Sequence, residues 1–179
     1  SVLFGPISSF PTNKIMNVAI VGASGYGGEV LVKLLAVHPK ANLVSVTSRS
    51  KVGQPVSTVI PELRGVLDDL KFDLSDATVI AAREDLDLVI LAVPHGTAAE
   101  YAKVIIDAGK KVIDFSADFR LSDPAKYEEF YGAVHPDTEL LKECQYVLPE
   151  VTADGWQDKK LFACPGVPAG GVHSAGEMR

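Results

Sequence analysis

The sequence predicts an α/β fold, a doubly wound and mostly parallel sheet of the Rossmann type. Short, continuously apolar runs alternate with segments of helical apolar spacing, as expected for a parallel sheet that helices cover on both faces. The first apolar run leads directly into a glycine-rich turn, which is typical of a strand–turn–helix unit. At 179 residues the chain is long enough for one domain of this kind or slightly more.

The first part of the pattern predicts strand, helix, strand. Residues 15–21 form a short apolar run that ends at a glycine, and residues 42–47 form a second run with β-branched members. A helix is predicted between them, ending at His38-Pro39. Its apolar stripe consists of Val30, Leu31, Leu34 and Leu35.

The second part continues the alternation with two further helices. One is predicted to begin at Thr97, because Thr97 and Glu100 have the spacing of a capping box, and to end at Gly109. The other is predicted to begin at Asp123-Pro124 and to end at Gly132. The strands predicted in this part are residues 86–93 and 111–115, with weaker candidates at 145–148 and 160–163.

Composition divides the chain into three parts. Residues 1–14 contain three serines and no acidic residue, and we interpret them as a flexible tail or the remnant of a targeting segment. Residues 15–163 carry the alternating pattern and are predicted to form the nucleotide-binding domain. Residues 164–179 are rich in Gly, Pro and Ala without a period, which is typical of a loop rather than the end of a domain.

Charge and cysteine content limit the functions to be considered. The formal charge is −6 and there is no basic run, so we expect neither nucleic acid nor an anionic membrane as a partner. No apolar run reaches the ~18 residues of a membrane span. Cys144 and Cys164 form no CxxC pair, so a reducing compartment is expected and no metal site is predicted. We expect the cytoplasm, with an organelle matrix as the alternative.

The glycine turn, residues 22–28, predicts a dinucleotide site. Gly22 permits the tight turn, Gly25 lets backbone amides approach a pyrophosphate, and Gly28 allows the helix to pack closely on the strand. The spacing is GxxGxxG, and a purely structural turn is the alternative. The residues predicted to bind the cofactor here are Gly22, Ser24, Gly25, Tyr26, Gly27 and Gly28.

Two further loops are predicted to contact the cofactor. The second strand is followed by Ser48, Arg49 and Ser50, where an NAD-selective domain would place an acid. Hydroxyls and a guanidinium suit a 2′-phosphate, so NADP is predicted, although Arg49 could also be an ordinary solvated side chain. Pro94 and His95 follow an apolar strand, where loops form the ligand crevice; a loop histidine without such a role is the alternative.

Several stretches in consistent order resemble the N-acetyl-gamma-glutamyl-phosphate reductase family. These reductases belong to the arginine pathway and are related to aspartate-semialdehyde dehydrogenase. The most specific is the run Ser-Ala-Asp-Phe-Arg at residues 116–120. The resemblance implies NADPH-dependent reduction of an acyl phosphate through a cysteine thioester, with a histidine as general acid and base. The matching stretches are residues 22–28, 91–96, 112–121, 131–136 and 148–150.

The resemblance also assigns substrate and catalytic positions. Ser116, Asp118 and Arg120 are predicted to bind substrate, with Arg120 on the acyl phosphate; an Asp118–Arg120 pair that braces its own loop is the alternative. The family nucleophile follows Asn-Pro-Gly, and aligning Pro-Gly here places Val167 at that position. Cys164 is therefore a shifted candidate nucleophile.

The combined interpretation is an N-acetyl-glutamyl-phosphate reductase represented by its NADP-binding domain. The family's second domain, which carries the histidine, is not recognisable in this sequence, so we expect these 179 residues alone to be inactive. A non-catalytic NADP-binding fragment and aspartate-semialdehyde dehydrogenase are the alternatives. For the complete protein the resemblance implies a small acyl-phosphate substrate and a homo-oligomer.

Overall fold

A computed structural model describes residues 14–148 and 158–165. Within these ranges all the strands join one sheet, and every neighbouring pair is parallel. The predicted fold class is thereby confirmed. The strands are β1 (Met16–Val21), β2 (Ala41–Thr47), β3 (Phe72–Asp73), β4 (Leu88–Leu91), β5 (Lys111–Asp114), β6 (Gln145–Tyr146) and β7 (Leu161–Ala163).

The strand order is β3-β2-β1-β4-β5-β7-β6. The chain runs outwards from β1 to β3, returns to pair β4 beside β1, and then continues towards the other edge. The order therefore reverses between β1 and β4, and in sheets of this kind ligands bind at that point, beyond the carboxyl ends of the strands. The last strand, β7, lies between β5 and the edge strand β6.

Helices follow most of the strands and cover the two faces of the sheet. The first, fourth and fifth correspond to the helices that the sequence predicted, and Gly132 ends the fifth with a left-handed φ of 69°. The helices are α1 (Tyr26–Ala36), α2 (Val56–Val59), α3 (Ala77–Ala82), α4 (Ala98–Asp107), α5 (Pro124–Tyr131) and α6 (Thr138–Glu143), with a 3₁₀ turn at Pro61–Leu63.

Two hydrophobic cores lie on opposite faces of the sheet. Within β1, Val18 and Ile20 pack into the core beneath α1 and α2, whereas Ala19 and Val21 pack into the core beneath α3 and α4. Side chains of a strand point alternately to its two faces, so a strand buried on both sides must be apolar throughout. The continuous apolar runs in the sequence have this cause.

The predicted apolar stripe of α1 was partly wrong. Val30 and Leu34 are exposed, at 44% and 61% of their surface, while Val32 is fully buried. Leu31 and Leu35 do pack against the core, as expected. The helix is turned by the close contact of its first residues with the glycine turn, which places the line through positions 28 and 32 against the sheet.

Candidate dinucleotide-binding site

The glycine turn contains two positions that accept no side chain. Gly22 has φ +82°, and a Cβ there would lie 2.4 Å from the carbonyl oxygen of Ala92. A Cβ on Gly28 would lie 2.3 Å from the oxygen of Gly22. Gly22 thus makes the tight turn and Gly28 lets α1 meet the strand, the geometric roles that the sequence predicted.

The other two glycines of the turn have room for a side chain. A Cβ on Gly25 would meet its nearest neighbour, the Gly22 oxygen, at 3.5 Å, and one on Gly27 would meet nothing within 4 Å. The packing of the turn itself therefore does not require a glycine at either position. The space around them lies outside the protein, at the entrance to α1.

The amino end of α1 is open. Gly25 is its N-cap in an extended conformation and supplies no side-chain hydrogen bond. The first amides of a helix have no intrahelical acceptor and carry partial positive charge, so they form a ready site for an anion. Tyr26, the first helical residue, is 82% exposed. The Ala23 N–H donates to the Thr47 oxygen at 2.9 Å and fixes the turn beside the end of β2.

The segment after β2 joins the glycine turn through hydroxyl groups. The Oγ atoms of Ser24 and Ser48 lie 2.7 Å apart. Ser48 is buried, and its Oγ accepts the N–H groups of Ser50 at 3.2 Å and Lys51 at 3.1 Å. Ser48 therefore shapes the loop, whereas Arg49 and Ser50 are exposed at its surface.

The amino end of α4 is closed, in contrast to α1. The predicted capping box is wrong: Thr97 makes no side-chain cap. Instead the carboxylate of Asp118, which is fully buried, accepts the N–H of Gly96 at 2.7 Å and the N–H of Ala98 at 2.8 Å. A carboxylate from a distant loop thus binds the first amide of this helix and the loop amide before it, and its negative charge opposes the partial positive charge of the helix end.

His95 is held by the same carboxylate. Its Nδ1 lies 2.8 Å from Asp118 Oδ1, and the side chain is 40% exposed. The ring packs against Tyr131, with 4.5 Å between centroids, and more loosely against Tyr127 at 5.7 Å. Neither tyrosine was predicted as a site residue from the sequence, although their spacing of four residues places them on one side of α5. Pro94 precedes His95 at the exposed start of the loop.

The loop after β5 is folded by its own polar side chains. The Ser116 hydroxyl donates to Asp114 Oδ2 at 2.8 Å and accepts the Asp118 N–H at 3.0 Å. Arg120 donates from Nη2 to the Phe115 oxygen at 3.0 Å, and its buried Nε has no hydrogen-bond partner among the described residues. In that part of the chain Asp118 and Arg120 form no ion pair, so the bracing pair considered as an alternative is wrong.

Asp114, the last residue of β5, is fully buried at the start of this loop. Burial raises the pKa of its carboxyl group to about 6, and the negative charge of Asp118 adds to that effect, while hydrogen bonds from Ser116 oppose it. The group is therefore easier to protonate in the folded protein than in the unfolded chain.

This shift makes the stability depend on pH in a defined direction. A carboxyl whose pKa is raised on folding stabilises the native state most below its unfolded pKa near 4, and that contribution is lost as the pH rises through 6. Two pKa units correspond to about 3 kcal/mol. We therefore expect the free energy of unfolding of Asp114→Asn, measured with urea, to rise by about 3 kcal/mol relative to that of the parent chain between pH 4 and pH 8. Parallel pH curves for the two proteins would contradict this.

Both cysteines lie near the carboxyl ends of β5 and β7. The Cys164 N–H donates to the main-chain oxygen of Asp114 at 2.9 Å, so Cys164 continues the hydrogen-bond ladder between β5 and β7. Cys144 is partly buried against the core, and burial raises the pKa of its thiol to about 12. Val167, the position that the resemblance aligns with the nucleophile, lies outside the described residues.

His135 is a structural residue. It is buried, and its Nδ1 accepts the N–H of Asp137 at 3.0 Å. Its hydrogen must therefore be on Nε2, which donates to the Asp118 main-chain oxygen at 2.9 Å. Both ring nitrogens are committed to the loop.

Residues 17–158 match the family model described as semialdehyde dehydrogenase, NAD binding domain. The chain belongs to this family. N-acetyl-gamma-glutamyl-phosphate reductases are similar to it: that of Akkermansia muciniphila is 47% identical over 86% of this chain and 44% of its own length, and that of Pseudomonas savastanoi is 44% identical over 85% and 43%. The chain thus spans less than half the length of these relatives.

Solved semialdehyde dehydrogenases share the fold. Aspartate semialdehyde dehydrogenase II of Vibrio cholerae superposes with a TM-score of 0.57 over 86% of this chain and 38% of its own, at 18% identity. As a semialdehyde dehydrogenase NAD-binding domain, the chain has a nicotinamide dinucleotide as its cofactor class. Within residues 14–148 and 158–165, no helix could cross a membrane and no cluster of three or more His, Cys, Asp or Glu could hold a metal ion.

Proposed function

We propose that this chain is the NADPH-binding part of an N-acetyl-gamma-glutamyl-phosphate reductase. The observation that carries the proposal is the 44–47% identity to reductases of that name over 85–86% of the chain. Aspartate-semialdehyde dehydrogenase is the weaker candidate, because the solved example is similar at 18% identity and supports the fold alone.

The contrast between two helix ends supports the placement of the pyrophosphate. Both α1 and α4 begin at the ligand edge of the sheet, next to the point where the strand order reverses. Asp118 already fills the amino end of α4 with negative charge, so an added phosphate there would meet a carboxylate. The amino end of α1 carries no side-chain cap. A pyrophosphate is therefore best placed at Gly25, Tyr26 and Gly27.

The rest of the dinucleotide follows from this placement. The adenosine half would extend over β2, where the exposed guanidinium of Arg49 could bind a 2′-phosphate and Ser50 could donate a hydroxyl. The other half would extend over β4 and β5, towards Pro94 and His95. When bound, NADPH supplies a hydride to the substrate.

The proposal places the acyl phosphate near the loop after β5. Arg120 is the residue best able to bind it, since the residue is partly exposed and its buried Nε has no hydrogen-bond partner within the described structure. Direct contacts from Ser116 and Asp118 stay predictions, because their polar groups already make hydrogen bonds inside the loop. We further propose that the complete enzyme is a homo-oligomer, which light scattering would test. Its proposed compartment is the cytoplasm or an organelle matrix, which cell fractionation would test.

Truncating Arg49 tests the cofactor preference. We expect Arg49→Ala to weaken NADPH binding by about 1.5–3 kcal/mol, the contribution of a charge-assisted hydrogen bond, with NADH binding unchanged. Fluorescence titration with both reduced cofactors measures this. Lys142→Ala is the matched control: it removes the same charge from α6, beside the edge strand β6. Equal affinity of the parent chain for NADPH and NADH would overturn the NADP preference.

A further inference from the structure

We propose that residues 1–13 pack along the outer face of α1, the apolar face formed by Tyr26, Val30, Leu34 and Val37. The proposal is an alternative to the flexible tail that composition predicted for this part of the chain. It concerns an interaction surface on the side of α1 that points away from the sheet, and it does not depend on a bound dinucleotide.

The outer face of α1 is apolar, whereas the outer face of a solvated helix is normally polar. Its four residues are spaced by four, four and three positions, so they lie on one side of the helix, and all of them are exposed. The two charged residues of α1, Glu29 and Lys33, are only partly exposed, and Lys33 Nζ donates to Glu62 of the 3₁₀ turn at 2.6 Å. A contiguous exposed apolar surface of this kind marks an interaction site.

The outer face of α4 shows the ordinary polar pattern. Its exposed residues are Glu100, Lys103, Val104 and Asp107, and the side chains of Lys103 and Asp107 form an ion pair at 3.7 Å. The two helices cover opposite faces of the same sheet and are similar in length. The apolar outer face therefore distinguishes α1 from α4.

Residues 1–13 have a composition that suits this surface. They contain no charged residue, and Pro6 and Pro11 disfavour a helix, so an extended course along α1 is favoured. Their large apolar residues are Val2, Leu3, Phe4, Ile7 and Phe10. Packing these side chains on the outer face of α1 would remove apolar area of both partners from water.

The described chain begins close to one end of the outer face. The Met16 N–H donates to the Lys40 oxygen at 3.0 Å, in the turn that follows α1, so β1 starts beside the end of the helix that carries Val37. From Val37 to Tyr26 the face is about 17 Å long, at 1.5 Å per helical residue. Thirteen extended residues span ~43 Å, enough to cross the ~10 Å diameter of the helix and follow the face to its far end.

The covalent tether favours this segment over a second copy of the chain. An intramolecular contact forms at an effective concentration on the order of mM, whereas two chains of formal charge −6 repel each other. A second copy, and a protein segment outside these 179 residues, are the competing occupants that an experiment must separate.

Thermal unfolding of the full chain tests the contact through a double-mutant cycle. Leu34→Gln should lower the melting temperature by roughly 3 °C or more, because a buried apolar contact is lost. In a chain that already carries Phe4→Ser and Phe10→Ser, the same change should have no further effect. Val79→Gln is the matched control, since Val79 is as exposed as Leu34 (63% against 61%) but lies on α3, on the opposite face of the sheet. It should leave the melting temperature unchanged in both backgrounds. An equal effect of Leu34→Gln in the two backgrounds, or no effect in either, would overturn the proposal.

Methyl NMR of the full chain identifies the occupant directly. Carbon-13-labelled methyl groups of Val30 and Leu34 should show nuclear Overhauser effects to the rings of Phe4 and Phe10, unchanged on dilution. In a mixture of labelled and unlabelled chains, an isotope-filtered experiment detects only contacts between copies, and it should show none. Contacts that appear in the filtered spectrum would make a second copy the occupant. The absence of any contact to residues 1–13 would assign the face to a partner outside this sequence, and either result overturns the proposal.

Discussion

Gly25→Val should abolish NADPH binding and leave the fold intact. The new Cβ would meet the Gly22 oxygen at 3.5 Å, an ordinary contact, and Gly25 has a φ of −82° that any residue adopts. The branched side chain would, however, occupy the entrance to α1, where the backbone must approach the pyrophosphate. We expect native circular dichroism and no saturable NADPH signal up to about a hundredfold the parent dissociation constant, a loss of roughly 2.7 kcal/mol or more.

Gly28→Ala is the contrasting variant in the same turn. Its added methyl group would lie 2.3 Å from the Gly22 oxygen and 2.6 Å from the Ala23 Cα, both backbone atoms that cannot move without displacing α1 from the sheet. We expect a loss of stability of about 3 kcal/mol or more, seen in urea unfolding. Normal NADPH binding by Gly25→Val would show that the pyrophosphate lies elsewhere, whatever the behaviour of Gly28→Ala.

The geometric roles of Gly22 and Gly28 could be predicted from the sequence because they depend on local backbone geometry. The turn lies between a strand and a helix, and its packing admits no side chain at Gly22 or Gly28. The helix that begins at Asp123-Pro124 was predictable for the same reason, since Asp123 accepts the Ala125 N–H at 2.9 Å within its own turn. A sequence signal that depends on only a few neighbouring residues predicts the same local structure whatever the rest of the fold does.

Features that depend on distant contacts were not predictable. Thr97 and Glu100 have the spacing of a capping box, yet the cap comes from Asp118, some twenty residues further along the chain. Phe72–Asp73 is a strand of two residues, too short for any periodicity to indicate. The short helix α3 did carry a local signal, because Asp76 caps it by accepting the N–H of Thr78 at 2.8 Å.

In the candidate site, too, local features could be predicted from the sequence and distant contacts could not. The sequence indicated that His95 belongs to a loop at the ligand edge, since it follows an apolar strand, and the resemblance assigned Asp118 to the substrate site. It could not indicate that they contact each other, because β4 and β5 are paired through a register that no local pattern encodes. Direct substrate binding by Asp118 was predicted from the resemblance. The carboxylate is completely buried, and it accepts the N–H groups of Gly96 and Ala98 at the start of α4.

We expect the 179-residue chain to show no turnover of an acyl phosphate. The reverse reaction is the assay: the chain is mixed with N-acetyl-glutamate semialdehyde, phosphate and NADP, and the formation of NADPH is followed by absorbance. Cys164 has the chemistry of a nucleophile, but its N–H is fixed to Asp114 in the ladder beyond β7, and by resemblance the attacking position is Val167. A displacement of even ~1 Å can reduce a rate about a hundredfold.

A base for the thiol is the second requirement. General bases contribute about 10²–10⁴-fold. Of the three described histidines, His135 has both ring nitrogens engaged, His95 contacts Asp118 through Nδ1, and His38 lies just after α1, where its Nδ1 accepts the Lys40 N–H. Cys164→Ser should therefore behave as the parent does, with neither protein above background. NADPH binding by both samples is the control that they are folded. Turnover in the parent that disappears in Cys164→Ser would make Cys164 the nucleophile, and the register of the family motif would then have to be drawn through Cys164 rather than Val167.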